Sequence, residues 1–370
     1  MKQNADQKTR MIIYGIALFF LGIFLAYGII YKFPAIFQET ITKIEKDVTV
    51  TDEGIADAVE KVYDSVVVVS TYNKNVQYSS GSGFVYKTDG NKTYIITNHH
   101  VVSDGDSYKV TYTNGDVEEA KLLGGDQYSD IAVLEVKTKE EYKAVDIGGT
   151  ETLRIGDTTF TVGAPLDNVY SWTVTRGIIS GKERLVEISV DNSYNTDYIM
   201  NVLQTDAAVN SGNSGGPLCD SNGEVIGVIS AKISASGVEG MGFAIPIETA
   251  IEKAEQIING ESSEYPYLGI SMYNVSDILS NPYYKNYLQN SELTSGVMVI
   301  DVEKNSSADE GGMKSGDIIT EINGKDISNV AYLRYELYKH DIGDTIKVTI
   351  ERDGKEKTLS VKLSSKYQRS

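Results

Sequence analysis

SVVVVSTYNKNVQYSSGSGFVYKTDGNKTYIITN, residues 65 to 98, holds three β-branched or aromatic runs separated by turn-forming residues. The runs are SVVVVS (65–70), SGFVYK (82–87) and YIITN (94–98), with Asn, Gly and Asp between them. The same pattern continues outward through SYKVTYT (107–113), IAVLEV (131–136), TTFTVG (158–163) and SWTVTRGIIS (171–180). It resumes at YIMNVLQ (198–204), GEVIGVISAKIS (223–234) and GFAIPI (242–247). Short strands without long intervening helices predict a mainly β protein, a sandwich or a pair of barrels, and not a doubly wound sheet. IADAVEKVYD (55–64), apolar at 55, 59 and 62, predicts a short helix before this region, and IETAIEKAEQII (247–258) predicts one that closes it.

The chain has 370 residues, enough for two or three compact units, and 41% hydrophobic content with 34 glycines and 6 prolines fits a turn-rich folded protein. A formal net charge of −18 makes it repel phosphate backbones, which argues against nucleic acid as a partner. The one cysteine, Cys219, excludes an intrachain disulfide and reads as a buried, inert thiol. No metal-ligand spacing, phosphate loop or cofactor fingerprint occurs, so neither metal nor cofactor is expected.

MIIYGIALFFLGIFLAYGIIY, residues 11 to 31, carries no charge and has the length a helix needs to cross a bilayer. Lys2, Lys8 and Arg10 precede it with only Asp6 opposing, which predicts a cytoplasmic tail (1–10) and an exported remainder. A cleaved leader would have a shorter apolar run ending in small residues, whereas Ile29, Ile30, Tyr31 and Lys32 follow here. The expectation is a single-pass anchor over 11–31 and a stalk over 32–53.

Chemistry concentrates at Gly212-Asn213-Ser214-Gly215-Gly216-Pro217-Leu218. A nucleophilic serine needs a tight turn, close substrate approach and converging N–H groups for the oxyanion, and glycines permit all three. Gly212, Asn213 and Ser214 are the candidate oxyanion donors. Two of the three histidines, His99 and His100, adjoin at the end of YIITN, while His340 is remote. In an extended backbone only one of the pair can face Ser214, and spacing does not choose between them. Asp130, opening the strand IAVLEV, is the candidate acid to orient the imidazole, with Asp126 as the turn-forming rival. The order His, Asp, Ser is that of chymotrypsin-type double barrels.

At this point GSGFVY, ITNHHVV, SDIAVLEV, TVTRGIISG, TDAAVNSGNSGGPL and GMGFAIPI together resemble the HtrA (DegP and DegS-like) family of serine proteases. The resemblance implies that His100 is the base, because the family pattern is Asn-Asn-His-Val, with His99 standing where asparagine is usual. Gly163-Ala164-Pro165 and Ser211 also depart from the family pattern without touching the triad. The family implies cleavage of unfolded or damaged polypeptides after small aliphatic residues, and trimeric assembly. By analogy with chymotrypsin-like enzymes, Ala208 would form the base of the specificity pocket, with Ser230, Ala231 and Lys232 along a wall. Alanine there offers no carboxylate for Lys or Arg.

Residues 267–364, after a polar linker at 259–266 and before a tail at 365–370, resemble a PDZ domain. YLGI, GVMVIDV and SGDIITEING carry the likeness. Such a domain binds peptide C-termini by strand addition, with Tyr267, Leu268, Gly269 and Ile270 as the carboxylate-binding loop. A Tyr-rich insert at 273–294 is expected to be helical. The fold expected is thus a chymotrypsin-like double barrel over 54–258 followed by a PDZ domain, with an N-terminal transmembrane helix. The function expected is a membrane-anchored endopeptidase of the bacterial cell membrane. The alternative from another class is a chaperone or peptide-sensing scaffold that does not cut. Fusion of the two domains, with glycines in the loops 163–170 and 231–241, predicts that peptide at the PDZ domain switches the protease.

Overall fold

The structure, a computed structural model, describes residues 14–16, 18–24, 31–32, 52–138, 141–164, 172–188, 197–233, 240–261, 264–281, 288 and 291–365. The chain divides into two units, 1–51 and 52–370. In the first, the described residues 14–16, 18–24 and 31–32 are helical. Among the described residues no helix is long and apolar enough to cross a membrane. Of the expected anchor only 14–16, 18–24 and 31 are described, and most of the expected stalk lies outside the described residues.

The second unit opens with helix α1 (Asp52–Tyr63) and continues as strands β1 (Val66–Asn73), β2 (Val76–Asp89) and β3 (Lys92–Asn98). A single helical turn, α2 (His99–Val102), leads to β4 (Ser107–Thr111), β5 (Val117–Asp126) and β6 (Ile131–Lys137). These strands close into a barrel in the order β1-β2-β3-β6-β5-β4. A second barrel, in the order β10-β11-β12-β9-β8-β7, uses β7 (Thr158–Gly163), β8 (Thr173–Ile188), β9 (Tyr198–Thr205), β10 (Pro217–Asp220), β11 (Val225–Ile229) and β12 (Gly242–Pro246). Helix α3 (Ile247–Ile258) follows.

The near-continuous apolar runs have a period-2 explanation, since alternate side chains enter two different cores. Val67, Val69, Ile95, Leu134 and Val136 fill the interior of the first barrel. Their neighbours Val66, Ile96, Ile131 and Val133 join a cluster that also draws Phe160, Val202, Val228 and Ile245 from the second barrel. Truncating one such side chain, for example Leu134→Ala, costs about 2–5 kcal/mol. Helix α3 buries Ile247, Ala250, Ala254 and Ile257, one face at helical spacing, in the shared cluster.

Two strands escape the sequence pattern. β5, VEEAKLLGGD, is half exposed along most of its length and holds two glycines, so its apolar signal is weak. Those glycines are close-approach sites. A Cβ on Gly124 would lie 3.1 Å from Ile257 Cγ2, and one on Gly125 would lie 2.5 Å from His99 Nδ1. β10 has four residues and begins with proline, too short to read as a strand. The run GEVIGVISAKIS is strand only over Val225–Ile229 and then forms a 3-10 turn at Ala231–Ile233.

The C-terminal part is a six-stranded sheet in the order β13-β14-β15-β17-β18, with β16 paired to β15. Its strands are β13 (Ile270–Asn274), β14 (Val297–Val302), β15 (Ile318–Ile322), β16 (Lys325–Asp326), β17 (Thr345–Arg352) and β18 (Lys355–Lys362). Helices α4 (Val275–Ser280), α5 (Ser307–Glu310) and α6 (Val330–Leu337) complete it. α4 is the described helical part of the Tyr-rich insert, of which 282–287, 289 and 290 lie outside the described residues. Asn329 caps α6, its side-chain oxygen accepting the Tyr332 N–H at 2.9 Å. Leu268, Val299, Ile319, Leu333, Leu337 and Val348 share the core beneath.

Candidate active site

Ser214 stands in the connection from β9 to β10, where the backbone turns twice through the left-handed region, at Gly212 (φ 99°) and Gly215 (φ 86°). Gly215 has no alternative, because a Cβ there would lie 2.1 Å from the Ser82 carbonyl oxygen. Strand β2 clamps the turn from the other barrel. The Ser82 N–H donates to the Ser214 carbonyl at 2.8 Å. The Ser82 hydroxyl donates to the Gly212 carbonyl at 2.7 Å and accepts the Ala164 N–H at 3.0 Å.

These contacts fix the Gly212–Asn213 peptide and correct one expectation. The Asn213 N–H donates to the Asn210 carbonyl at 3.0 Å, so it is spent in the turn and unavailable to an oxyanion. The N–H groups of Gly212 and Ser214 donate to no protein acceptor among the described residues.

His100 lies in α2, and its Nδ1 is 2.8 Å from Asp130 Oδ2 and 3.0 Å from Oδ1. The His100 backbone N–H also donates to Asp130 Oδ1 at 3.0 Å. An ionised carboxylate only accepts, so it holds the ring proton on Nδ1 and leaves the Nε2 lone pair of the neutral imidazole free. Asp130 is buried, with φ 54°, and its carbonyl accepts the His99 N–H at 3.0 Å and the Asn98 side-chain amide at 2.9 Å.

The two histidines occupy a helical turn, not the extended backbone expected from sequence, and they still point to different surroundings. His99 turns toward Gly125, and its buried Nδ1 has no partner among the described residues. Burial pushes its pKa below the usual histidine value, against the opposing pull of Asp130 and Asp126.

The expected specificity residues are redistributed. Ser230 is fully buried and donates its hydroxyl to Asp130 Oδ2 at 2.9 Å, so it belongs to the acid and not to a pocket wall. The next residue, Ala231, donates its N–H to Ser214 Oγ at 3.1 Å. One dipeptide therefore ties the His100–Asp130 pair to Ser214, and no hydrogen bond joins Ser214 directly to His100 among the described residues. Sequence reasoning had no signal for this, since nothing distinguishes Ser230 from any strand-end serine. Lys232 and Ala208 are exposed. The Ala208 carbonyl accepts from Thr175 Oγ1 at 2.9 Å and from the Asn213 side-chain amide at 3.3 Å, which places this residue on an open rim and not at an enclosed base. Residues 165–170 and 234–239, within the expected switching loops, lie outside the described residues. Cys219 is buried, and desolvation pushes its thiol well up.

In the C-terminal part, the carbonyls of Leu268 and Gly269 accept N–H groups of Ala308 at 2.9 Å and Glu303 at 2.8 Å. Their own N–H groups meet no acceptor among the described residues. Gly269 (φ 77°) is required, because a Cβ would lie 2.2 Å from Ser306 Cβ. The Tyr267 N–H is spent on the Ser364 carbonyl at 2.9 Å, so of the expected loop only Leu268 and Gly269 keep amides without an acceptor before Ile270 opens β13, among the described residues. β13 is a terminal strand, and a groove of about 660 Å³ beside it is lined by Leu268, Met272, Leu333, Leu337 and Tyr338, among others.

Residues 81–228 match the trypsin-like peptidase domain, and residues 266–363 match the PDZ domain. The chain is 40% identical over 334 residues to "Serine protease Do-like HtrB" of Bacillus subtilis, covering 86% of this chain and 72% of that protein. It is 34% identical over 353 residues to "Serine protease Do-like HtrA" of Lactococcus lactis subsp. cremoris, covering 88% of this chain and 86% of that protein. Among solved structures, the serine endoprotease from Yersinia pestis aligns with a TM-score of 0.63 at 28% identity, covering 87% of this chain and 100% of that one. The HtrA-type protease AlgW with decapeptide aligns with a TM-score of 0.65 at 28% identity, covering 85% and 99%.

Proposed function

Because the chain belongs to the HtrA family of serine proteases with one PDZ domain and is a serine endopeptidase, we propose that Ser214, His100 and Asp130 carry its catalysis on unfolded or damaged exported polypeptides. The observation that carries this reading is the dipeptide Ser230-Ala231, which gives one hydrogen bond to the Asp130 carboxylate and one to Ser214 Oγ, while Asp130 holds His100 Nδ1.

In the reaction, Ser214 turns from Ala231 toward His100, and Oγ attacks the scissile carbonyl as Nε2 takes its proton. Asp130 stabilises the imidazolium that results. The oxyanion is met by the N–H groups of Gly212 and Ser214, and one such donor is typically worth about 2.7–4 kcal/mol of barrier. His100 then protonates the leaving amine, and water hydrolyses the acyl-enzyme by the same route in reverse. The preference for small aliphatic residues before the cleaved bond rests on the family resemblance.

The N–H groups of Leu268 and Gly269 receive a peptide's terminal carboxylate, and the peptide pairs with the free edge of β13. The peptide named in the AlgW structure supports peptide binding in this fold. Residues 11–31 anchor the chain in a bacterial cell membrane with the N-terminus cytoplasmic, and the chain assembles as a homotrimer, both readings resting on sequence and family resemblance. Incubating the full-length chain with a permanently unfolded polypeptide and sequencing the new termini tests the function. Cuts after Val, Ala or Ile that vanish in Ser214→Ala support it, whereas cuts after Lys or Arg, or cuts that persist in Ser214→Ala, contradict it.

A further inference from the structure

Asp130 takes a left-handed backbone conformation (φ 54°), which Asp adopts more readily than most residues with a side chain. It follows directly on a turn that one buried side chain holds. Asp126, itself buried, accepts the N–H of Tyr128 at 2.8 Å and of Ser129 at 2.7 Å on Oδ1. Its Oδ2 accepts the phenol of Tyr265 at 2.6 Å.

Tyr265 comes from far along the chain, in the segment joining α3 to the C-terminal sheet. Its ring packs on Tyr128 with centroids 5.0 Å apart and on Tyr338 at 4.5 Å. Tyr128, Tyr265 and Tyr338 all line the peptide groove beside β13, and Tyr338 ends α6, the helix that forms its far wall. Burial, together with Asp126, pushes the Tyr265 phenol far up, so it stays a hydrogen-bond donor. These rings line the groove, and one of them holds the carboxylate that accepts from the turn leading into Asp130.

We propose that Tyr265 and Asp126 are positioning residues for the catalytic acid, and that the Tyr265 phenol passes movement of the groove wall to the Asp130 turn through its bond to Asp126. Neither residue touches substrate, and the inference rests on the reading of Asp130 as the triad acid. The coupling is specific in its polar link to Asp126, which the hydroxyl of Tyr265 makes and that of Tyr338 does not.

The test is hydrogen exchange over residues 126–137 in the full-length chain in detergent, with and without an octapeptide ending in a free C-terminal valine. Wild type, Tyr265→Phe, Asp126→Asn and Tyr338→Phe are compared, with peptide affinity read by fluorescence anisotropy and Ser214 labelling by a fluorophosphonate run alongside. The expected result is a several-fold change in exchange on peptide binding in wild type and Tyr338→Phe. In Tyr265→Phe and Asp126→Asn the segment exchanges several-fold faster and ignores the peptide, although affinity is kept and kcat falls with KM unchanged. Exchange that is the same in wild type and Tyr265→Phe, or a peptide response that survives in Tyr265→Phe, overturns the proposal. Exchange does not depend on turnover, so absent labelling with this exchange pattern would count against the proteolytic roles and not against the coupling.

Discussion

Ser230 donates its hydroxyl to Asp130 at 2.9 Å inside a site where both groups are buried. The carboxylate thus accepts from Ser230 as well as from the ring and backbone of His100. Its orientation does not depend on His100 alone, and the acid keeps its place when the imidazole becomes charged.

Removing that hydroxyl leaves a buried carboxylate one donor short, at a cost of about 1.5–3 kcal/mol for a bond to a charged group. Ser230→Ala is expected to lower kcat roughly 10- to 100-fold with KM little changed, by the ordinary conversion of barrier to rate. Steady-state kinetics on a short chromogenic peptide checks this. An unchanged kcat with a raised KM would return Ser230 to the specificity wall.

His99 gives a pH prediction. Its folded pKa lies below the ordinary histidine value of 6.5, chiefly because burial disfavours the charged ring. Above that pH both folded and unfolded chains hold it neutral. As pH falls through 6.5 the unfolded chain takes up the proton first, so the folded state loses relative stability, and the loss levels off below the folded pKa. His99→Asn is expected to remove this slope. Comparing denaturant midpoints of wild type and variant at pH 7.5 and 5.5 should show the difference shifting in favour of the variant at the lower pH, and parallel curves would contradict the assignment.

Arg352 meets Asp317 through Nε and Nη2, both at 2.6 Å, and Asp317 is fully buried while the Lys314 N–H also donates to it at 2.8 Å. Arg352→Ala strands a buried carboxylate, a change that costs about 3–5 kcal/mol. Calorimetry should show the C-terminal sheet melting first, with Ser214 labelling retained at 25 °C. A loss below about 1 kcal/mol, the size of an exposed pair, would contradict the account.

The pattern that begins at residues 65–98 made the β architecture legible because strands such as β1, β3 and β6 bury both faces, which produces unbroken apolar runs. TTFTVG and IETAIEKAEQII carried their boundaries in their composition and match β7 and α3. β5 stayed hidden because its glycines serve contacts with Ile257 and His99 that no local pattern encodes. At the site, the glycine turn that carries Ser214 was legible in its composition, and the choice of His100 over His99 came from the family resemblance. The engagement of the Asn213 amide, the exposure of Ala208 and the bond from Ser230 to Asp130 were not, because each depends on partners distant in sequence or on the path of the turn.

The central claim, that Ser214 is the nucleophile and His100 its base, is tested most directly by labelling the full-length chain with a serine-reactive fluorophosphonate. The account predicts labelling of wild type and of His99→Ala at comparable rates, and none of Ser214→Ala or His100→Ala. Labelling lost in His99→Ala but kept in His100→Ala, or kept in Ser214→Ala, would contradict it.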